Sequence, residues 1–362
     1  MSDESYIQLA IEIAKKGMGN VSPNPLVGCI IIKNDKIIGV GYHEKYGKNH
    51  AEINAIESSH ESVEGSTLYV NLEPCSHSGN TPPCVDKIIE KKIKRVVIGT
   101  LDVNPLVSGR GIKKLKASGI DVKVGVLEKQ CTELNKFFFK YITKKIPYVT
   151  LKAAQTLDGK IADVNGNSRW ISSSMSRKIV HQMRSKYDAV LVGSGSVEKD
   201  DPRLTVRLTE GRNPKRIILD THLKLKTGYK IFQNNADKKL IVITSEKSIK
   251  KTAKLNELKS LGVQILFAKE NKKKLIDLHS ALEEIGRINI ASLLVEGGGK
   301  LLSSFIKENL FDDISIFIAP KILGGGVDIF SNLGIKNIHN AFQINIDNVE
   351  KVGDDVLIEL SK

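Results

Sequence analysis

Apolar and polar positions in the first 145 residues alternate between helical and strand-like spacing. The spacing predicts an amphipathic helix over residues 6–16. Two apolar runs, 26–32 and 37–42, flank a turn at Asn34-Asp35 and predict a β-hairpin. Further strands are predicted at 67–72, 95–100 and 121–126, with helices starting near residue 50 and over 83–92, 111–117 and 128–142. This order indicates a sheet covered by helices.

The charged segment Lys144-Lys145-Ile146-Pro147 interrupts this pattern and marks the predicted domain boundary. We therefore expect one domain over residues 1–145 and a second, different fold over residues 146–362. The second domain has strand patterns at 148–154, 189–192, 216–219, 240–244, 264–268, 292–295, 314–318 and 355–360, and a helix at 176–186. The pattern predicts a mostly parallel sheet of the kind that binds nucleotides.

The cysteine content and the N-terminal sequence indicate the cellular compartment. The 362 residues include only four cysteines, too few for a disulfide framework, so we expect a reducing compartment, the cytoplasm. The N-terminal residues are acidic where a signal peptide is basic, and no apolar run approaches the roughly 20 residues that span a bilayer. Neither secretion nor membrane insertion is expected.

The net charge of +14 raises the question of nucleic acid without deciding it. The lysines are scattered, and aromatic residues, which serve as stacking platforms for bases, make up only 5% of the chain. The charge therefore favours a solvated surface and small phosphate-bearing ligands, with no nucleic-acid partner.

The strongest chemical signal is a set of three candidate zinc ligands. His50 stands at a predicted helix start, and Cys75 and Cys84 each follow a proline. One imidazole and two thiolates suit Zn²⁺, and three protein ligands leave a tetrahedral position open for water, as catalysis requires. Zinc lowers the pKa of that water, so hydroxide is available near neutral pH. Glu52 is placed to move protons, the catalytic role in a hydrolytic deaminase.

A structural reading of the same residues is that His50 is a surface histidine and the cysteines are core thiols. The coincidence of His-x-Glu with two Pro-Cys units argues against it. Cys29, in an apolar strand, and Cys131, in a helix, are expected to be structural.

The second domain offers two glycine-lined strand ends, Gly193-Ser194-Gly195-Ser196 and Glu296-Gly297-Gly298-Gly299. Such loops let backbone amides approach a phosphate, and a helix predicted from Lys300 adds its positive N-terminal end. Glycines after strands are also ordinary turns, and neither loop is a Gly-x-Gly-x-x-Gly fingerprint, so no Rossmann site is predicted.

Motifs across most of the chain resemble the bifunctional riboflavin-biosynthesis deaminase/reductase family. In the first half they are Asn24-Pro25-Leu26-Val27-Gly28, Gly41-Tyr42-His43, His50-Ala51-Glu52, Leu72-Glu73-Pro74-Cys75-Ser76-His77, Thr81-Pro82-Pro83-Cys84 and Asp102-Val103-Asn104-Pro105. In the second half they include Leu151-Lys152-Ala153-Ala154, Ser168-Arg169-Trp170, His181-Gln182-Met183-Arg184, Asp200-Asp201-Pro202-Arg203-Leu204, Val295-Glu296-Gly297-Gly298 and Ala319-Pro320-Lys321. The long insert between Cys75 and Cys84 is typical of this family.

The resemblance implies a cytidine-deaminase-like α/β/α sandwich followed by a dihydrofolate-reductase-like α/β domain. It implies one zinc ion per chain, and hydrolytic deamination of a diaminopyrimidinone that carries a ribosylamino 5′-phosphate. NADPH would then reduce the ribosyl group to a ribityl chain.

The resemblance also implies roles for individual residues. The pyrimidine pocket would be lined by Asn24, His43, His77 and Asn104. Cofactor contacts would come from Ala154, Trp170, Ser196, Asp200, Thr221, Gly298 and Gly299. The reductase substrate would be held by Ser168, Arg184, Leu204, Arg207 and Glu296, the arginines because a guanidinium fork binds a phosphate dianion. Trp170, the only tryptophan, has core packing as its alternative role.

Three positions depart from the family pattern: Asn80, Thr156 and Val103. Two other functions fit parts of the sequence. One is an RNA nucleobase deaminase with an accessory nucleotide-binding domain, for which the excess lysine would supply backbone affinity. The other is a scaffold with structural zinc. A homo-oligomer is compatible with the sequence, which decides neither the oligomeric state, nor channelling, nor the reductase's acid-base residue, for which Asp200 is our candidate.

Overall fold

The structure is a computed structural model that describes residues 1–76, 82–104 and 107–362. Its contacts divide the chain into two compact units, Met1–Lys145 and Ile146–Lys362. Among the described residues, no helix combines the length and the apolarity needed to cross a membrane.

The first unit is a five-stranded sheet with helices on both faces. Its helices are α1 Asp3–Ala14, α2 Ala51–Glu57, α3 Cys84–Glu90, α4 Arg110–Ala117, α5 Glu128–Leu134 and α6 Lys136–Lys144. Its strands are β1 Gly28–Lys33, β2 Lys36–Tyr42, β3 Thr67–Leu72, β4 Arg95–Thr100 and β5 Asp121–Val124. They lie in the order β2-β1-β3-β4-β5. The hairpin β1–β2 and the pair β1–β3 are antiparallel, and β3, β4 and β5 are parallel.

Alternate residues of the central strands enter two separate cores, because successive side chains of a strand point to opposite faces. Ile30, Tyr69 and Val97 pack with α1 on one face, and Ile31 and Val70 pack with α2 and α3 on the other. A helix–sheet–helix sandwich follows, as the sequence predicted.

The second unit contains a nine-stranded sheet. Its helices are α7 Ser174–Lys186, α8 Ser194–Asp200, α9 Lys230–Gln233, α10 Thr252–Ser260, α11 Leu278–Arg287 and α12 Gly299–Lys307. Its strands are β6 Tyr148–Thr156, β7 Lys160–Ala162, β8 Ala189–Gly193, β9 Lys215–Leu219, β10 Leu240–Ser245, β11 Gln264–Ala268, β12 Ser292–Val295, β13 Asp313–Ala319, β14 Val327–Asp328, β15 Asn345–Val352 and β16 Asp355–Ser361.

The large sheet has the order β11-β10-β9-β8-β12-β6-β13-β16-β15. The strands from β11 to β13 are parallel, and β16 and β15 add an antiparallel edge. The prediction of a mostly parallel sheet is therefore confirmed. Because parallel strands end at one edge, the segments after β8, β9 and β12 lie along the same rim of the sheet.

Three of the differences from the sequence-based predictions are described here. The single helix expected over 128–142 is two helices, α5 and α6, because the side chain of Asn135 between them bonds Leu26, accepting its N–H at 2.8 Å and donating to its carbonyl at 3.0 Å. The glycine loop expected after β8 is a helix, α8, that begins at Ser194. Strand β15 was not predicted, because its exposed residues do not alternate with buried ones.

Candidate active sites

The three candidate zinc ligands converge in the first unit. His50 immediately precedes α2, Cys75 follows β3, and Cys84 opens α3. The Nδ1 atom of His50 lies 3.5 Å from the Sγ of Cys75 and 3.3 Å from the Sγ of Cys84. All three ligand atoms lie within 4.8 Å of one another, a spacing that one ion can bridge.

The electrostatics around the two sulfur atoms favour a thiolate at Cys75 and a protonated thiol at Cys84, whose pKa is raised by its bond to Cys75 and by burial. The backbone N–H of Cys84 donates to the Sγ of Cys75 at 3.3 Å. Hydrogen bonds from the Cys84 thiol and from His50 lower the pKa of Cys75 to about 4. Sulfur in its anionic form is the ligand that zinc requires, so Cys75 is ready to bind the metal, and Cys84 would lose its proton when the metal binds.

Glu52 lies on the first turn of α2 and is only 3% exposed. Burial raises the pKa of its carboxyl to about 7. Its Oε2 atom has no hydrogen-bond partner within the described part of the chain. An unsatisfied buried oxygen is costly unless a ligand or water completes it, so Glu52 is suited to exchange a proton with a bound molecule.

Asn24 and His43 lie together next to the metal ligands. The Nδ2 of Asn24 is 3.2 Å from the Nε2 of His43, and the imidazole rings of His43 and His50 lie edge to face with centroids 5.4 Å apart. Burial lowers the pKa of His43, which favours a neutral ring that can bond a heterocycle. Another predicted pocket residue, His77, lies outside the described residues.

The position of Asn104 depends on a residue that sequence reasoning missed, Glu73. The Oε2 of Glu73 accepts the backbone N–H groups of Gly109 at 3.0 Å and Asp102 at 3.4 Å, and Asp102 Oδ1 accepts the N–H of Asn104 at 2.7 Å. Glu73 is 4% exposed and stands two residues before Cys75. It thus joins the metal loop to the loop of Asn104. A charged residue directly after an apolar strand was the available signal.

In the second unit, two predicted cofactor segments meet at the rim of the sheet. Ser196 lies in α8 after β8, and Gly298 caps the N-terminus of α12 after β12. A Cβ added to Gly298 would lie 3.8 Å from the Oγ of Ser196. A Cβ on Gly299 would approach the Asp328 carbonyl to 2.6 Å, so this turn requires glycine. Two helix N-termini at one rim suit a phosphate-bearing cofactor.

The remaining predicted cofactor residues lie on the same rim or on segments next to it. Thr221 follows β9 and accepts the Ile276 N–H at 3.3 Å, and Ala154 lies near the end of β6. Asp200, at the end of α8, accepts the hydroxyl of Ser168 at 2.9 Å. The structure therefore brings a predicted cofactor residue and a predicted substrate residue into contact.

Trp170 does not pack in a core. Its side chain is 67% exposed, and the Arg177 guanidinium lies 4.4 Å from its ring centroid. Its backbone carbonyl accepts from the Nζ of Lys321 at 2.5 Å. The alternative of core packing is wrong, and the cofactor role stays a prediction.

Arg184 and Glu296 form a buried two-point ion pair. The Nε and Nη2 atoms of Arg184 donate to the two carboxylate oxygens of Glu296 at 2.6 and 2.7 Å. Burial opposes ionisation of Glu296, but the charge and hydrogen bonds of Arg184 outweigh it and lower its pKa. Arg184 also reaches the Thr205 carbonyl at 3.3 Å. Much of its hydrogen-bonding capacity is therefore committed within the protein.

The loop of Leu204 and Arg207 lies against this ion pair. Leu204 is buried with a φ of 55°, and the Nη1 of Arg207 donates to the carbonyl and hydroxyl oxygens of Thr205 at 3.2 and 2.7 Å. Arg207 is exposed, so its guanidinium remains accessible to a ligand.

Lys152 is a second residue that sequence reasoning missed. Burial lowers the pKa of its amine, and Glu296 and Arg184 are the charges that act on it. Its Nζ lies 5.6 Å from the centroid of the Phe317 ring. A single charged residue in the middle of a central strand was the signal that could have marked it.

The substitution at Thr156 preserves the local structure. Its hydroxyl donates to Asp158 at 2.6 Å and accepts the Lys160 N–H at 2.9 Å. A serine would offer the same hydroxyl, so this departure from the family pattern leaves the turn intact.

Comparison with known proteins identifies the family. Residues 147–358 match the family described as "RibD C-terminal domain". Residues 1–100 match "Cytidine and deoxycytidylate deaminase zinc-binding region". The riboflavin biosynthesis protein RibD of Aquifex aeolicus is 48% identical over 358 residues, which cover 98% of this chain and 97% of that protein. The chain belongs to the RibD family.

Other relatives match this chain over nearly their full length. RibD of Escherichia coli is 35% identical, with 99% of each chain covered. A crystal structure of the Thermotoga maritima diaminohydroxyphosphoribosylaminopyrimidine deaminase/5-amino-6-(5-phosphoribosylamino)uracil reductase has a TM-score of 0.88 and 43% identity, covering 99% of this chain and 98% of that one. A structure of Acinetobacter baumannii RibD has a TM-score of 0.89 and 35% identity, with the same coverage.

RibD membership confirms the predicted fold class, a cytidine-deaminase-like unit followed by a dihydrofolate-reductase-like unit. It also confirms a zinc-dependent deaminase joined to an NADPH-dependent reductase in riboflavin biosynthesis. The RNA-deaminase alternative is not favoured. The roles of individual site residues stay predictions.

The ligand set predicts one zinc ion per chain, measured by elemental analysis of the purified protein. His50→Ala or Cys84→Ala should reduce the zinc content severalfold, because two donors do not complete the site. Cys29→Ala and Cys131→Ala are the matched controls, since both thiols are buried and do not belong to the ligand set, so both variants should keep the metal. Equal zinc content in all four variants would contradict this assignment.

Proposed function

We propose that the first unit hydrolytically deaminates 2,5-diamino-6-(5-phosphoribosylamino)pyrimidin-4(3H)-one and that the second reduces the ribosyl group of the product to a ribityl chain with NADPH. The observation that carries the proposal is the buried carboxyl of Glu52 beside the His50, Cys75 and Cys84 ligand set. The activities named for the Thermotoga maritima protein support the choice of substrate.

In the first unit, each residue has a separate task. His50, Cys75 and Cys84 would hold zinc, which supplies the Lewis acidity that activates water when bound. Glu52 takes a proton from the attacking water at a carboxylate oxygen and passes it to the leaving amine. Asn24 and His43 would bond the pyrimidine edge.

In the second unit, the chain positions two ligands against each other. NADPH supplies the hydride when bound, and Ser196 and the turn at Gly298 would receive its phosphates through backbone N–H groups. Arg207 would bind the substrate phosphate. The ion pair with Arg184 holds the Glu296 carboxylate as a fixed charge that acts on Lys152, and the lowered pKa of Lys152 makes its amine a candidate for moving a proton, alongside Asp200.

Glu52→Gln is expected to keep zinc and lose ammonia release. Glutamine has the same size but cannot carry a proton between water and amine, so the rate should fall by at least 100-fold. Ammonia release and zinc content are measured on the same preparation, with NADPH oxidation on the pre-deaminated substrate as the internal control. Retained ammonia release would remove Glu52 from the mechanism.

Arg207→Ala is expected to raise the KM of the reductase for its phosphorylated substrate roughly 10- to 100-fold, the range for losing a charge-assisted hydrogen bond. The dephosphorylated substrate should be unaffected. Arg287→Ala, at an exposed arginine paired with Glu284, is the surface control. Arg184 is a less direct probe, because its removal also frees Glu296. Equal losses for both substrates would contradict the phosphate assignment.

We also infer a homo-oligomer whose interface includes β15 and the segment before it. Strand β15 lies at the edge of the large sheet. Large apolar side chains are exposed nearby, Ile338 at 78%, Ile346 at 67% and Val349 at 56%. Residues 322–349 contain only Asp328, Lys336 and Asp347 as charged groups, whereas the whole chain carries +14. Two copies repel each other least at this face, and unpaired edge strands associate readily.

The test is the molar mass in solution, measured by light scattering on the full chain. Ile346→Lys with Val349→Lys should shift an oligomer to monomer by placing like charges across the interface. Ile249→Lys, another exposed apolar position, is the control. A monomeric parent protein would contradict the inference.

We also place the protein in the cytoplasm, since its four cysteines are free thiols. We propose no nucleic-acid partner.

A further inference from the structure

In the loop of residues 204–207 of the reductase unit, three consecutive residues each have a backbone group that is hydrogen-bonded to a side chain from outside the loop. The Thr205 carbonyl accepts from Arg184 Nη1 at 3.3 Å, the Val206 N–H donates to Asn213 Oδ1 at 2.8 Å, and the Arg207 N–H donates to His181 Nδ1 at 2.8 Å. Leu204 at the start of this loop has a φ of 55°, a conformation that costs about 1–2 kcal/mol for a residue with a Cβ. Such a conformation persists where surrounding contacts determine it.

Two of these contacts come from one face of α7. His181 and Arg184 are three residues apart, so they are neighbours on the helix surface. Arg184 bonds the loop with one nitrogen and Glu296, after β12, with two others. Helix α7 therefore connects the loop of Arg207 to the rim of the sheet, and His181 makes the contact closest to Arg207.

The imidazole is in the state that this contact requires. Nδ1 accepts a hydrogen bond only when it carries no proton. His181 is 5% exposed, and burial together with Arg184, Arg207 and Lys152 lowers its pKa to about 4, against an opposing contribution from Glu296. A pKa below the ordinary value of 6.5 means that the ring is neutral above roughly pH 5.

We infer that His181 is a positioning residue of the reductase: by accepting the Arg207 backbone N–H, it fixes the loop that presents the Arg207 guanidinium to the substrate phosphate. This inference rests on the proposed function, in which Arg207 binds that phosphate. His181 acts through Arg207 and has no direct contact with the reacting atoms. His181 holds the backbone of Arg207, and the hydrogen bonds from the Arg207 guanidinium to Thr205 then orient the side chain.

The test compares side chains that keep or lose an acceptor at the Nδ1 position. In His181→Asn the Oδ1 atom occupies nearly the place of Nδ1, whereas in His181→Gln the acceptor reaches toward the place of Nε2. His181→Leu fills the volume without any acceptor. The readouts are kcat and KM for the phosphorylated substrate, the same constants for the dephosphorylated substrate, and the KM for NADPH.

The expected result is a rise of about five- to tenfold in KM for the phosphorylated substrate in the Leu and Gln variants, the range for one neutral hydrogen bond. His181→Asn should stay within about twofold of the parent protein. The dephosphorylated substrate and NADPH should show no change in any variant. A purely structural role would move all of these constants together, and it would not be rescued by Asn alone.

A double-mutant cycle separates this inference from the proposed function. In the Arg207→Ala background, His181→Gln should add no further loss, because the group that His181 positions is gone. Additive losses, or equal behaviour of Asn and Gln, would overturn the inference while leaving the phosphate assignment intact. If Arg207→Ala alone fails to discriminate the two substrates, the phosphate assignment falls and the inference falls with it. The Asn and Gln pair decides the question even if the Leu variant does not fold.

Discussion

Burial of an ionisable group is costly unless the group has a partner, and this cost sets the protonation state of one carboxyl group in each unit of the chain. Glu52, with a pKa raised to about 7, is poised to share a proton because its Oε2 atom is left unsatisfied. Glu296 remains a carboxylate because Arg184 meets both of its oxygens. The same burial that is costly in isolation thus gives one carboxyl a proton-transfer role and the other a fixed charge.

Both sites lie where strands end and helices begin. In the first unit, Cys75 follows β3, His50 precedes α2 and Cys84 opens α3, so each metal ligand lies within three residues of a helix or strand. In the second unit, the parallel strands bring Ser196 and Gly298 to one rim, although about a hundred residues separate them in the chain. The fold brings the site residues close together, and the groups that surround each ionisable side chain set its protonation state.

The sequence was sufficient for features that depend on local pattern or on spaced motifs. The two α/β units, the mostly parallel sheet and the His50, Cys75, Cys84 set were all predicted, because apolar periodicity and ligand chemistry are readable residue by residue. Most of what was missed depends on contacts between distant residues. Asn135 divides a predicted helix because its side chain is hydrogen-bonded to Leu26. Glu73 joins two loops because its carboxylate accepts the backbone N–H of Gly109, which is distant in the sequence. Lys152 stood in a recognised motif, but its proximity to Glu296 is visible only in three dimensions.

The central claim is that two separate sites act in sequence on one pyrimidine phosphate. It is tested most directly by supplying the purified chain with that substrate and NADPH, and following ammonia and cofactor absorbance in the same cuvette. We expect one ammonia to be released per NADPH oxidised, with ammonia release preceding NADPH oxidation, and undiminished ammonia release when NADPH is withheld. Oxidation of NADPH without prior ammonia release, or ammonia release from polynucleotide alone, would contradict it.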